Sequence, residues 1–331
     1  MIDDKITPTE QQSSEVDQLA DITVVTVNYN TAHLIPEFLG ALEAARGELK
    51  LQIIVVENGS TDGSAEILRL HSPAIELIEN ERNVGFGRAN NQTLDRINGR
   101  YVLLLNTDAF VEPDTLAKTL QFMDSHDEVG VLGVKLIGRS GELQPSCRYF
   151  PTPWNTFVAR YGLTRLFPST RLVDDLSWDH ASIRDCDWVP GCYYLVRRKV
   201  IDHVGLFDSR YFIYFEEVDH CRSLRAAGWR VVFYPFTSVV HIGGESAKSA
   251  GQSLNRGRQI PALQVESELL YFRKHYGLLG LLAALSLKIL GDALSLAKWI
   301  AKGRGDGSPS PVTGVMFKVL VRTRLASRPS R

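Results

Sequence analysis

The stretch Tyr101–Ala109, YVLLLNTDA, decides how the chain is read, because five apolar residues stop abruptly at Asn106, Thr107 and Asp108. A Leu/Val-rich run bounded in this way fits a strand covered on both faces. In open α/β sheets ligands collect in the crevice beyond the carboxyl ends of such strands, which places Asp108 at a ligand site. Asn-Thr-Asp also has the chemistry of an ordinary turn, since Asn and Asp hydrogen-bond their own backbone. The neighbouring stretches weigh between the two readings.

Upstream, Ile22–Asn30 (ITVVTVNYN) is a second apolar run with a polar end, followed by a helical stretch over Leu34–Ala45. Leu51–Val56 (LQIIVV) repeats the pattern and ends in Glu57-Asn-Gly-Ser-Thr-Asp62-Gly-Ser64. A helix over Ala65–His71, a short strand over Ile75–Ile78 and the loop Asn83–Arg88 (NVGFGR), opening a helix through Ile97, complete the approach to Tyr101. Strands alternating with helices predict an α/β fold with a mostly parallel central sheet and right-handed crossovers. The polar strand ends then face one crevice. Gly85-Phe86-Gly87 is not a dinucleotide fingerprint, because Asn90 stands where the third Gly belongs and the loop does not follow the first strand. Its glycines read as allowing close backbone approach to a ligand and entry to a helix whose N–H groups receive an anion.

Downstream, Glu216-Glu217-Val218-Asp219 supplies three acids. A helix over Phe215–Ala227 would put Glu217 with Cys221 and Leu224, and Glu216 with Asp219, His220 and Ser223. Glu217 is thus the acid on the more apolar face. Acids in a first helical turn also complement the helix dipole without any catalysis. His241 follows the strand-like Arg230–Val240.

The order and spacing of NYN (28–30), VVENGSTDGS (55–64), NVGFGRANN (83–91) and LLLNTDA (103–109) resemble the family 2 glycosyltransferases. The similarity continues through Trp188–Cys192, Phe207–Phe212, Tyr214–Asp219 and His241–Ser246, covering residues 21 to 246. Bacterial rhamnosyltransferases of polysaccharide or cell-wall assembly are the nearest resemblance. It implies a GT-A nucleotide-diphospho-sugar transferase fold with a C-terminal helical appendage. It also implies an inverting, metal-dependent transfer to a glycan or lipid-linked acceptor, with dTDP-rhamnose or a UDP-sugar as donor. Asp108 matches the metal ligand of the family's D-x-D-like motif, and Asn106 replaces its first acid, near the ribose or a metal-bound water. His241 matches an additional metal or diphosphate contact. Oxygen ligands suit Mg²⁺ or Mn²⁺, and an imidazole tilts the choice to Mn²⁺. Glu57, where the family usually has Asp, matches a contact to the base or ribose, and Asn28, Asn30 and Asp62 are similar candidates. Asn83, Gly85, Arg88 and Asn90 are second-tier contacts to the nucleotide or its phosphates. Glu217 matches the general base, with Asp219 as the alternative.

The 331 residues, 44% hydrophobic, support a sizeable core, and the net charge of −1 carries no hint of nucleic acid. The expected organisation is a polar N-terminal tail (1–20) and a catalytic domain (21–246) divided at 138 into nucleotide-sugar and acceptor halves. A loop with amphipathic helices (247–301) and a basic tail (302–331) follow. Residues 139–187 read as an irregular insertion, and Gly243–Gly257 as a flexible loop near the site. In the tail seven Lys and Arg face one acid, Asp306. The Leu-rich stretch 278–301 has a longest uncharged run of twelve residues, Tyr276–Leu287, too short for a span. Helix plus cationic tail predicts binding to an anionic membrane surface, with packing on the domain or in a homodimer as the alternative. The N-terminal twenty residues carry no signal-peptide pattern, which predicts a cytoplasmic protein, peripheral on the cytoplasmic face of the inner membrane. Cys147, Cys186, Cys192 and Cys221 form no CxxC pair and read as reduced thiols. A non-catalytic nucleotide-sugar or glycan binder would not need Glu217. A nucleotidyltransferase would need a Gly/Lys-rich phosphate loop that is not apparent after Val27.

Overall fold

The computed structural model describes residues 19–71, 74–243, 259–301 and 312–329. The loop expected up to Gly257, from position 244, and tail residues 302–311 lie outside the described residues, as does the N-terminal tail up to 18. Ten strands form one sheet: β1 (Ile22–Asn28), β2 (Leu51–Glu57), β3 (Glu76–Glu79), β4 (Tyr101–Leu105), β5 (Ala109–Val111), β6 (Val129–Ile137), β7 (Leu143–Gln144), β8 (Arg184–Asp185), β9 (Tyr193–Arg197) and β10 (Arg230–His241). Their order is β3-β2-β1-β4-β9-β6-β10-β5, with β7 paired to β6 and β8 to β10. The first four are mutually parallel. β9, formed by the WVPGCYYLVRR segment, then runs antiparallel between β4 and β6, so the sheet is mixed.

Register, more than any single residue, assembles the strand ends. Asn28 pairs with Glu57, which brings the ends of β1 and β2 level. β5 runs antiparallel to β10 and pairs Ala109 with His241, so His241 lies beside the residue after Asp108. Every residue of β4 is buried, as a strand covered on both faces must be.

One face of the sheet is covered by α1 (Ile35–Arg46) and α4 (Thr115–Asp124) through Phe38, Leu42, Leu116 and Met123. The other carries α7 (Glu216–Ala226), α8 (Gln259–Ala301) and α9 (Thr313–Arg322), with Leu224, Leu269, Phe272 and Met316 in its core. Each such side chain stabilises the fold by about 1.5–3 kcal/mol of transfer free energy before entropy is counted. Between them in sequence lie α2 (Ser64–Leu70), α3 (Phe86–Asn91), α5 (Pro153–Arg160) and α6 (Arg198–Val204). The insertion is thus irregular except for α5 and the two short edge strands, β7 and β8. All four cysteines are free and buried.

α8 kinks at Gly277, whose φ of 66° is open to glycine at little cost. Before the kink Leu269, Tyr271 and Phe272 are buried, whereas beyond it Leu278, Leu279, Leu282 and Leu290 are exposed. The helix is long and apolar enough to cross a membrane by length and composition, which the twelve-residue count understated because isolated charges do not end an apolar helix. Two charged groups beyond the kink face the protein: Lys288 pairs with Glu268 at 2.8 Å, and Asp292 accepts from Tyr161 and from the Thr313 backbone at 2.9 Å each. Residues 313–322, read as part of a tail, are helical and buried through Met316, Val319 and Leu320. Their i, i+3, i+4 spacing is the reason: three apolar groups on one stripe outweigh the flanking cations.

Candidate active site

The loops after β1 and β2 are stitched to each other. Asn28, fully buried, donates to Glu57 Oε2 at 2.6 Å, and Glu57 accepts from the Ser60 backbone at 2.5 Å and hydroxyl at 2.8 Å. Asn30 adopts a left-handed φ of 53° and accepts from the Thr61 backbone at 2.8 Å. Asp62 accepts from Ala32 N–H at 2.8 Å and the Ser64 hydroxyl at 2.5 Å. Burial would raise its pKa, but these hydrogen bonds win and hold it below the usual range. Next to them Asn83 accepts from Gly85 N–H at 2.9 Å and from Asn58 at 3.1 Å. Asn90, almost fully buried, donates to Phe86 O at 2.9 Å, and Arg88 donates to Ser209 O at 2.9 Å.

The glycine loop serves a different purpose from the one its sequence suggested. A Cβ on Gly85 would lie 2.5 Å from Phe212 O, and one on Gly87 would lie 3.1 Å from Glu216 Cγ. The close approach is to the protein's own 207–216 segment, and Gly87 N–H, at the start of the short α3, is donated to the Glu216 carboxylate.

Asp108 is nearly buried, and His241 Nε2 stands 3.6 Å from its Oδ1. Gln144 fixes the imidazole. Its Nε2 donates to His241 O at 2.8 Å, so its Oε1, 2.9 Å from Nδ1, must accept from Nδ1–H. The Nε2 lone pair therefore points toward the carboxylate. Burial lowers the His241 pKa, Arg148 adds to this and Asp108 opposes it, so the ring is neutral at neutral pH. Two lone-pair donors facing each other fit a divalent cation between them. Among the described residues no third His, Cys, Asp or Glu completes a cage, as suits a cation whose remaining ligands are water and phosphate oxygens. Asn106 is held just before Asp108 by its backbone, which donates to Cys192 O at 3.2 Å.

The carboxylates of α7 are launched from a strained turn, since Tyr214 and Phe215 both have a φ of 71°. Bulky residues in that region cost about 1–3 kcal/mol each and persist where packing over-determines them. Glu216 is 1% exposed, and its Oε1 has no hydrogen-bond partner among the described residues. Burial and then the neighbouring Glu217 charge push its pKa well up. Glu217 lines a cavity of about 1240 Å³ together with Arg148, Trp188 and Tyr214. Burial raises its pKa as well, opposed by its own N–H, the Arg148 charge and Gly191 N–H. With Glu216 kept neutral, the negative charge of the pair belongs to Glu217. Asp219 does not share this role. It accepts from His275 at 2.6 Å, Lys274 at 2.7 Å and Tyr211 at 3.2 Å. Burial alone would raise its pKa, but His275 and Lys274 outweigh it and keep the carboxylate ionised. It is an anchor for α8, which corrects its reading as an alternative base.

Residues 23–170 match the profile described as glycosyl transferase family 2, and residues 101–258 match glycosyl transferase family group 2. Both profiles are of family 2 glycosyltransferases, and together they span residues 23–258 of this chain. It is 29% identical over 245 residues to the N-acetylglucosaminyl-diphospho-decaprenol L-rhamnosyltransferase of Mycobacterium tuberculosis, covering 66% of this chain and 75% of that one. It is 25% identical over 173 residues to rhamnosyltransferase WbbL of Escherichia coli K12, covering 50% and 63%. In fold it resembles the mannosyltransferase PcManGT of Pyrobaculum calidifontis, solved with GDP-Man and Mn²⁺, at a TM-score of 0.53 and 19% identity, covering 92% of this chain and 81% of that one.

For this glycosyltransferase, sequence reasoning missed Gln144, Arg148 and the Gly191 N–H as groups acting on the site. Gln144 and Arg148 lie in the stretch read as an irregular insertion, where no periodicity singles out a residue. Arg148 is held by Asp174 at 2.8 Å and by Pro145 O at 3.0 Å, close enough in charge to act on both His241 and Glu217.

Proposed function

We propose that this glycosyltransferase is a metal-dependent, inverting hexosyltransferase. It takes a sugar from a nucleotide-diphosphate donor, with dTDP-rhamnose and UDP-sugars the first candidates, and moves it to a glycan or lipid-linked acceptor in bacterial envelope polysaccharide synthesis. The names of its rhamnosyltransferase relatives support the pathway class. The observation that carries the reading is the pair Asp108 and His241, a carboxyl oxygen and an imidazole nitrogen turned toward each other at 3.6 Å. They would hold Mn²⁺ or Mg²⁺ at the crevice where the β1, β2 and β4 loops receive the nucleotide. When bound, the cation neutralises charge on the departing diphosphate.

The residues of the chain do the rest. Glu217, kept as the charged member of its pair, accepts the proton of the attacking acceptor hydroxyl. Arg148 and Gly191 N–H hold that carboxylate charged despite its burial. A single displacement, with base and leaving group on opposite sides of the sugar, inverts the anomeric centre. The exposed apolar face of α8, tied down on its other side through Lys288 and Asp292, supports peripheral attachment to the cytoplasmic face of the membrane.

The test is calorimetric titration with UDP-, dTDP- and GDP-sugars, with and without Mn²⁺ or Mg²⁺, on the wild type and Asp108→Ala. Selective, metal-dependent binding by the wild type alone is expected. Failure to bind any nucleotide sugar would overturn the donor site.

A further inference from the structure

Arg148 lines the same chamber as Glu217, whose other walls come from α5, α8 and α9. Four residues earlier in the chain Gln144 holds the His241 imidazole, so the short run from Gln144 to Arg148 leads from the His241 side of the site to the base. We propose that Arg148 is a further catalytic residue, whose guanidinium donates to the diphosphate oxygens of the departing nucleotide. This rests on the transferase reading above, which supplies that diphosphate.

Three observations carry the proposal. The first is how firmly Arg148 is held. Its backbone N–H donates to Trp188 O at 3.2 Å, and its carbonyl accepts from the N–H groups of Asp187 at 2.9 Å and Trp188 at 3.2 Å. Its Nε donates to Pro145 O at 3.0 Å and lies 2.8 Å from Asp174 Oδ1. The guanidinium carbon stands 4.9 Å from the centre of a Trp188 ring that is itself buried and pinned through Nε1 to Tyr149 O at 2.9 Å. A cation fixed in this way is oriented before any charge develops on a substrate. The second is what these contacts leave over. Both use Nε, and the two terminal amino groups make no hydrogen bond among the described residues. Those amino groups form the planar fork that matches phosphate oxygens, and an arginine kept only for its ion pair would turn the fork to Asp174. The third is reach. The Arg148 charge acts on the Glu217 carboxyl, on the His241 imidazole and, together with that of Asp108, on the Cys192 thiol. A cation felt at both the base and His241 stands beside the centre where the sugar changes hands. There the acceptor oxygen bonds to the anomeric carbon as the bond from that carbon to the diphosphate oxygen breaks. The electron pair leaves on the diphosphate, and the hydroxyl proton passes to Glu217. The diphosphate thereby gains a charge that its sugar ester lacks, so a fixed guanidinium stabilises it most once the bond has broken.

The probes are UDP and dTDP, titrated into the full chain without divalent cation, beside UDP-glucose, dTDP-rhamnose and inorganic diphosphate. Arg148→Gln should weaken binding of the nucleoside diphosphate about tenfold and that of its sugar ester by no more than about threefold, while turnover falls about 10²-fold. Arg148→Lys keeps the charge but not the fork, so it should restore the acid limb of the rate profile and only part of the nucleoside diphosphate affinity. Equal losses for nucleoside diphosphate and sugar ester in Arg148→Gln would overturn the proposal. So would an unchanged nucleoside diphosphate affinity with a displaced acid limb, which would leave Arg148 acting on Glu217 alone. If the wild type binds inorganic diphosphate through Arg148 but no nucleotide or nucleotide sugar, the anion site stands and the transferase reading falls. Phenylglyoxal labelling of the wild type, read by mass spectrometry, gives a check that needs no variant. Arg148, whose side chain is partly exposed, should be protected by the nucleoside diphosphate, and labelling that the nucleotide leaves unchanged would sink the proposal.

Discussion

The strand-end loops and the Glu216–Glu217 pair treat their carboxylates in opposite ways. In the loops Glu57 and Asp62 accept hydrogen bonds from residues a few positions away or across one strand pair, and Asp62 is thereby stabilised as an anion. In the pair Glu216 keeps one oxygen without a hydrogen-bond partner among the described residues, and both acids are pushed toward protonation by burial. A satisfied network makes a rigid frame, whereas a desolvated, poorly paired acid is poised to take or give a proton. The comparison teaches where chemistry is to be sought. The crevice at the strand ends is built to hold, and the acid launched from the strained Tyr214–Phe215 turn is built to react.

The strongest way to break that contrast is Glu217→Gln. Turnover should fall by about 10²–10⁴-fold, with the donor dissociation constant within about twofold of wild type. Because burial raises the Glu217 pKa, the base is lost as pH falls through a value above the usual carboxylate range. The wild-type rate therefore declines on the acid side earlier than an exposed Glu would allow, and a kcat profile flat down to the ordinary range would remove Glu217 from the reaction.

Asp219→Asn tests the other side of the comparison within the same helix. Removing one partner of a buried ion pair costs about 3–5 kcal/mol, so the variant should melt well below wild type. Its acid limb in the rate profile should stay in place, since Asp219 anchors Lys274 and His275 and takes no proton from substrate. A limb that moved with Asp219 would make it the base after all.

His220, one residue further, gives a smaller and pH-dependent effect. Burial pushes its pKa down to about 4 while Gly205 O partly restores it. The unfolded chain therefore binds a proton near pH 6.5 that the folded chain refuses until about pH 4. Stability is full above about pH 6.5 and is lost across that window as pH falls, by roughly 3 kcal/mol. Urea titrations at pH 7 and pH 4.5 on wild type and His220→Gln should show the variant losing less of its stability on acidification.

These expectations also mark what the sequence makes legible. Asn28, Glu57, Asn106 and Asp108 stand at the ends of apolar runs, so alternation of strand and helix was enough to align them. The function of Gly85 and Gly87 was not, because the partner each makes room for, Phe212 or Glu216, lies more than a hundred residues on. Spacing could name Glu217 as the acid on the apolar face of its helix. It could not tell that Asp219 is consumed by Lys274 and His275, which come from a different helix. The antiparallel β9 reads like any buried strand, since direction is set by its neighbours and leaves no trace in composition. The chamber is the least legible part, its wall drawn from positions as far apart as Arg160 and Lys318.

Gln144 offers the finest test. Its amide accepts from His241 Nδ1–H and donates to His241 O, fixing the tautomer that leaves Nε2 free to face Asp108. Gln144→Leu removes both bonds, so the proton can settle on Nε2 and the lone pair on Nδ1. Partners of this kind change metal affinity by about 10–100-fold, and for a single neutral amide the low end applies. Mn²⁺-dependent donor binding should weaken about tenfold, with metal-free nucleotide binding unchanged. Gln144→Glu separates orientation from packing. A carboxylate still accepts from Nδ1–H and makes the imidazole more basic, so affinity should recover at pH 7.5. If Leu and Glu weaken binding alike, Gln144 only fills space and the tautomer argument for His241 fails.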